Sequence, residues 1–361
     1  MTDRRPATAR AAALLLALLT GVVAVAQKLP ETFGEEVVVR ETSVVALPPG
    51  GSAPPAAEAV TVSVGGLAQR VTRVEPVLEG KRGDWRMVVY LDSRLAGART
   101  RFLASLALAQ RAESLAAMGT VEVLVAEAVR PALARTDSWQ RIEAALLSHA
   151  LETKHRLARG APATERPGWD LFRGRMDLLL ETLEGRGVGG PRALFLPTDG
   201  LFSMVGSEEL ARVARTLAGS GWVLVPMPWS EAADDTSAAR LSEFESWREG
   251  AEGRDGSAGT RRHVIDLGRV VRHLRGASDS PRAASDELEP QLVGLETLAG
   301  PTSGLLAGRE AELRAALSNL ARRWRVWFQT AEAEDGEPRP LEVLLDGEHL
   351  TAPAWFLAPV G

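Results

Sequence analysis

The sequence predicts an α/β protein built on a doubly wound, mostly parallel sheet, with a small β module ahead of it and a helix-plus-strands region behind it. Three observations point there. The runs W-R-M-V-V-Y-L-D (85–92) and R-A-L-F-L-P-T-D-G (192–200) are short apolar strands that end on an aspartate, and strands apolar on both faces belong to sheets covered on both sides. Segments with helical spacing lie between and after them, and such strand–helix alternation is the pattern of a parallel α/β sheet. The flanks carry β-type runs broken by Gly- and Pro-rich turns.

Residues 1–26 read as a secretory leader. Arg4, Arg5 and Arg10 lead into the apolar run Ala11–Ala26, and Ala24-Val25-Ala26 supplies a small-x-small end before Gln27. The run falls short of the ~20 residues that a spanning helix needs. Cleavage after Ala26 is therefore expected, leaving an exported chain, periplasmic or extracellular, with no stable membrane span. The remainder divides into a β module (27–84), an α/β domain (85–275) and a C-terminal helical and β region (276–361).

In the β module, strands are expected over Glu35–Leu47, Ala59–Val64 and Leu67–Val77, the last two joined by the tight turn Gly65-Gly66. In the α/β domain, strands are expected at Met87–Leu91, Val121–Ala126, Ala193–Leu196 and Trp222–Met227. Helices are expected at Thr100–Ala117, Asp137–Leu157, Trp169–Leu183 and Ser207–Leu217. Ser207 can cap the last of these, with Glu208 and Glu209 in its first turn, where the helix dipole favours acids. Behind it, helices over Glu287–Leu298 and Arg309–Arg323 precede strands at Trp324–Thr330, Leu341–Leu345 and Ala354–Pro359. Asp234–Thr260 and Gly276–Ser285 read as polar loops, and His263–Leu267 as a further short strand.

Composition limits function. Hydrophobic residues make up 45% and charged residues 25%, ordinary globular usage. Acidic residues outnumber basic ones, 47 to 42, and losing the Arg-bearing leader widens the gap, which argues against nucleic acid as a partner. Arg261-Arg262 and Arg322-Arg323 are expected at solvated element ends. With no cysteine, disulfides, cysteine-based metal sites and a lipid-anchored cysteine are excluded. G-R-G-V-G-G (185–190) fits a dinucleotide fingerprint by letter, but it follows a helix and precedes a strand, the reverse of what that fingerprint needs. No nucleophile elbow or P-loop occurs, and the five histidines show no zinc-protease spacing.

The middle of the chain resembles a von Willebrand factor type A (vWA) domain. The resemblance rests on M-V-V-Y-L-D-S (87–93), V-E-V-L-V (121–125), the Thr136-Asp137 loop, A-L-F-L-P-T-D-G (193–200), the helix Ser207–Leu217 and G-W-V-L-V-P-M (221–227). G-G-L-A-Q-R-V-T-R-V (65–74), L-A-G-P-T-S-G-L (298–305), L-R-A-A-L-S-N-L (313–320) and R-P-L-E-V-L-L (339–345) are similar to the flanks in a branch of secreted bacterial vWA-related proteins.

That resemblance implies a metal-ion-dependent adhesion site: Asp-x-Ser-x-Ser in a first loop, a Thr in a second and an Asp in a third. Asp92 matches the first position, Thr136 the threonine and Asp199 the last aspartate. Arg94 and Ala96 stand where the two serines should be. A guanidinium can satisfy carboxylates that a metal would otherwise bridge. The expectation is thus a degenerate, metal-free site with Arg94 in place of the ion and no cofactor. Two alternatives stand beside it: weak Mg²⁺ binding by Asp92, Thr136, Asp199 and water, or aspartates that merely cap loops and helices. The implied function is protein binding in the cell envelope or outside, with Asp92, Arg94, Ala96, Thr136 and Asp199 shaping the surface. A hydrolase on the same scaffold, or a structural envelope component, are the alternatives.

Overall fold

The computed structural model describes residues 39–361 apart from 52, 80–81, 127–130, 159–168, 185–189, 201–206, 230–238, 240, 248–293, 332–336 and 358–361. The leader, the loop at 185–189, the strand expected at His263–Leu267, the polar loop expected at Gly276–Ser285 and Arg261-Arg262 lie outside the described residues; of the polar loop expected over Asp234–Thr260, residues 241–247 form a helix instead, anchored by the buried Leu241.

The protein is α/β, with two sheets. Its first strands are β1 (Val39–Ala46), β2 (Val60–Val64) and β3 (Leu67–Pro76), followed by a small hairpin of β4 (Leu78–Glu79) and β5 (Arg82–Gly83). The middle of the chain supplies β6 (Trp85–Leu91), β7 (Gly119–Val125), β8 (Leu133–Thr136), β9 (Arg192–Pro197) and β10 (Trp222–Met227). The end supplies β11 (Trp324–Ala331), β12 (Arg339–Leu345), β13 (Glu348–His349) and β14 (Trp355–Phe356).

Strands from both flanks pair into one antiparallel sheet, ordered β1-β11-β3-β2-β12-β13, with β14 also on β12. β11 sits between β1 and β3, so Val44 faces Val326 on one side and Val326 faces Val74 on the other. Burial alternates strictly along β11, as expected of a sheet with one face on a core. That core gathers Val44, Val62, Val326, Phe328, Val343 and Phe356, and Phe328 meets Phe356 edge-on at 5.3 Å.

The second sheet has the order β10-β9-β6-β7-β8. Its first four strands are parallel, and β8 is an antiparallel edge. Helices cover both faces: α1 (Ala98–Gln110), α2 (Ala112–Met118), α3 (Trp139–Ala158), α4 (Trp169–Glu184), α5 (Ser207–Gly219), α6 (241–247), α7 (294–299) and α8 (Glu310–Ala321). Val89, Leu91, Val123 and Phe195 pack with Phe102, Leu146 and Leu317 of α1, α3 and α8. Val88, Tyr90, Leu194 and Leu196 pack on the opposite side with Met176, Leu179 and Val213 of α4 and α5. The period of two along a strand sends alternate residues to the two cores, which is why these strands read as unbroken apolar runs.

Two further sequence expectations change. The helix expected over Thr100–Ala117 is divided at Arg111 (φ −102, ψ 12), whose guanidinium pairs with Glu310 of α8. Thr136 lies at the end of a strand rather than in a loop. Four residues are too few to show a period of two, so β8 left no pattern to read. Arg322 and Arg323 also part company: Arg322 is exposed, whereas Arg323 is buried. Among the described residues, no helix is long and apolar enough to cross a membrane.

Candidate functional site at the carboxyl edge of the parallel sheet

β6 and β9 are adjacent parallel strands, so the residues that follow them emerge side by side. The chain reverses its order of strand addition between them, and such switch points leave a crevice at the carboxyl edge. Asp92 follows β6 and Thr198-Asp199 follows β9.

Asp92 is fully buried. Its Oδ1 accepts the Arg94 backbone N–H at 2.7 Å. Its Oδ2 accepts Arg175 Nε at 2.6 Å and the Tyr90 hydroxyl at 3.3 Å. The Asp92 carbonyl accepts the N–H groups of Leu95 and Ala96, turning the 92–97 loop back on itself. Asp199 holds the far end of that loop, its Oδ2 accepting the Gly97 N–H at 2.6 Å. Gly97 precedes α1 and offers no capping side chain. A carboxylate there suits the positive end of the helix dipole. A Cβ on Gly97 would lie 2.9 Å from Asp199 Oδ2, so glycine is what lets the carboxylate approach. Thr198 completes the clamp: its hydroxyl donates to the Leu95 carbonyl at 3.2 Å.

The five residues singled out by sequence do not meet at one point. Asp92 and Asp199 grip the same loop. Arg94 is on that loop, but its side chain is exposed, and among the described residues its guanidinium bonds to neither carboxylate. Ala96 is buried, and its carbonyl accepts Arg101 Nε at 3.0 Å. Thr136 pairs with Val121 near the start of β7, at the amino edge of the sheet, roughly four residues or ~13 Å of strand from the site. Its hydroxyl accepts the Ser138 N–H ahead of α3.

The guanidinium on Asp92 is therefore that of Arg175, which sequence reasoning did not find. α4 buries Met176, Leu179 and Leu183, and Arg175 borders that stripe four residues before Leu179. From there its side chain, mostly buried, reaches the Asp92 carboxylate at the end of β6. Tyr90 also escaped notice, although it lies two residues before Asp92 on the same face.

This donor set does not fit a divalent cation. Mg²⁺ needs oxygen ligands in near-octahedral array. Here both Asp92 oxygens are taken by N–H and O–H donors, a cation already lies on Oδ2, the serine positions hold Arg94 and Ala96, and the threonine is at the other edge. Among the described residues, no group of three or more His, Asp or Glu is placed to hold a metal. Nor is Asp92 arranged as a base or nucleophile, since it faces no solvent and both oxygens are engaged.

Two other polar clusters lie inside the same domain. Ser105 Oγ and His149 Nδ1 are 3.1 Å apart, both buried between α1 and α3, so this serine–histidine pair belongs to the helix interface. At the amino edge, Arg192 is buried beside Arg86, its partner in the strand register. Burial first, then the charges of Arg86 and Arg135, lower its pKa from the ordinary arginine value.

No protein-family model matches the chain, and a search of curated proteins found none similar to it. What fold and site define is a class: an α/β protein whose carboxyl-edge aspartates are committed to holding a loop.

Proposed function

We propose that this protein is an exported, vWA-like protein-interaction module whose adhesion-type site works without a metal, with the 92–97 loop as its presenting surface. The observation that carries the reading is the Arg175–Asp92 pair. It occupies the carboxylate that an adhesion site of this type would give to its ion, and it keeps the loop in one conformation with the Arg94 side chain facing outward. Strand order supports the vWA likeness. Counted from β6, the sheet runs 3-2-1-4-5, the order of doubly wound α/β folds. The leader-like composition of residues 1–26 supports export.

Because the chain has no cysteine, Arg94→Cys gives a single attachment point for a photo-crosslinker, and Arg135→Cys, at the opposite edge, gives a control. In cells that make the protein, protein adducts are expected from position 94 and not from 135. Equal yields, or none at 94, would remove the carboxyl edge as the binding surface. In parallel, the unfolding midpoint is expected to be the same in EDTA and in millimolar Mg²⁺ or Mn²⁺. A ligand that binds only the folded state must raise that midpoint, so a rise with metal would overturn the metal-free reading.

A further inference from the structure

Residues 353–357 touch both sheets. Phe356 is buried in the core of the antiparallel sheet, and Phe356 and Trp355 pair with Arg339 and Pro340 of β12. On the other side lies α5, which packs on the parallel sheet. The Leu357 N–H donates to the Gly219 carbonyl at the end of α5 at 2.9 Å, and the Arg215 guanidinium of α5 lies 5.4 Å from the centre of the Trp355 ring. Between these anchors the Ala354 carbonyl accepts the Leu341 N–H at 2.9 Å, and the Ala354 N–H donates to the Pro301 carbonyl at 2.7 Å.

Pro301 leads into a segment that lies along β10, the end strand of the parallel sheet. Thr302 donates its hydroxyl to the Ala299 carbonyl at 2.7 Å, and the same oxygen accepts the Leu224 N–H of β10 at 3.0 Å. Farther on, the Ala307 N–H reaches the Pro226 carbonyl at 2.9 Å. This cover holds a costly backbone, since Ser303 is left-handed at φ +57. Such conformations persist only where the surroundings over-determine them. Here the surroundings include Arg323, which donates to the Ser303 hydroxyl at 2.6 Å, and Ala354, which donates to Pro301. Both come from beyond the cover itself.

We infer that residues 353–357 are a latch on the cover of β10. Seated on β12 and α5, they hold Pro301 and so keep Thr302 on Leu224; when they lift, the edge of the parallel sheet opens. The path is short. From Phe356 in the antiparallel core to Leu224 in the parallel sheet it passes through Ala354, Pro301 and Thr302. A sheet edge is a template for pairing with another chain, and the latch makes access to this edge depend on the state of the opposite sheet. It is independent of the carboxyl-edge surface and would stand if that surface bound nothing.

Native-state amide exchange, read residue by residue on the full chain, tests the latch. Ala354→Pro removes the N–H that Pro301 accepts and touches nothing on β10. The amides of Leu224 and Ala307 are expected to exchange about tenfold faster in this variant, while those of β7, in the same sheet, keep their rates. Linkage requires the coupling to run both ways. Thr302→Val, which removes the acceptor of the Leu224 amide, should therefore also speed exchange at Ala354. The inference is overturned if Ala354→Pro leaves Leu224 and Ala307 as protected as before, if β7 loosens by the same factor, or if Thr302→Val frees Leu224 alone. A second variant guards against misfolding of the first: Trp355→Ala, which takes the ring from Arg215 and leaves the backbone bonds in place, should speed Leu224 and Ala307 in the same direction.

Discussion

A carboxylate at the end of a buried strand is costly to hold unless hydrogen bonds and an opposite charge replace the water it loses. Asp92 receives both, from the Arg94 amide, Tyr90 and Arg175. Removing one partner of a buried pair leaves the other uncompensated, and such losses run to about 3–5 kcal/mol. Arg175→Met is therefore expected to destabilise the protein by that order in denaturant unfolding, and adding Asp92→Asn should recover part of the loss. If Arg175→Met unfolds like the parent, the pair is not what holds the 92–97 loop. Asp92 and Asp199 could be found from sequence because each ends an apolar run, so strand periodicity also gives their place. Arg175 could not, because a long side chain on an amphipathic helix carries no local mark of which carboxylate it reaches. Thr136 was misassigned for a related reason: only the pairing of β8 with β7 decides which edge of the sheet it occupies.

At the scale of elements, β10 is the edge strand of the parallel sheet, and open edges invite pairing with other chains. The segment 302–307 runs along it. Thr302 Oγ1 accepts the Leu224 N–H at 3.0 Å, and the Ala307 N–H reaches the Pro226 carbonyl at 2.9 Å. A Cβ on Gly304 would fall 1.7 Å from the Leu224 carbonyl oxygen, so only glycine lets the segment lie this close. Gly304→Ala should cost on the order of 1–3 kcal/mol and speed amide exchange at Leu224 and Ala307. Unchanged protection there would mean that the segment does not seal the edge. β6, β9, β10 and α4 were legible within a residue or two, because burial of both sheet faces or of one helical stripe leaves a period. The covering of β10 was not, since an irregular segment has no period and reveals itself only through the strand it touches.

Across the whole molecule, the corner between α8 and β11 rests on Arg323, which is buried and donates to the Ser303 hydroxyl at 2.6 Å and to the Ser303 carbonyl. Ser303 has φ +57, so the guanidinium braces a left-handed residue at the start of the β10 cover. Burial lowers the Arg323 pKa from the ordinary arginine value to about 10. Below that value both folded and unfolded chains carry the proton, and the folded state bears the cost of a buried charge. As pH rises from about 10 towards the ordinary arginine value, the folded protein sheds the proton first, the unfolded chain binds more protons, and stability from this group increases. Relative to Arg323→Met, the parent should gain on the order of 1 kcal/mol per pH unit above the folded pKa, read from denaturant unfolding between pH about 9 and about 11. A constant difference would show that the side chain does not titrate in the folded state.

The union of both chain ends in one sheet was not visible in the sequence, because strands far apart carry the same local pattern whichever neighbour they choose. β1 and β3 never touch; each waits for β11 to fill the gap between them. A ribosome makes β1 and β3 well before β11. Until then β1 has no mate and β3 has only β2, and this sheet closes only after Ala331 has emerged. Closing so long a loop slows folding, so β1 stays unpaired until β11 reaches it.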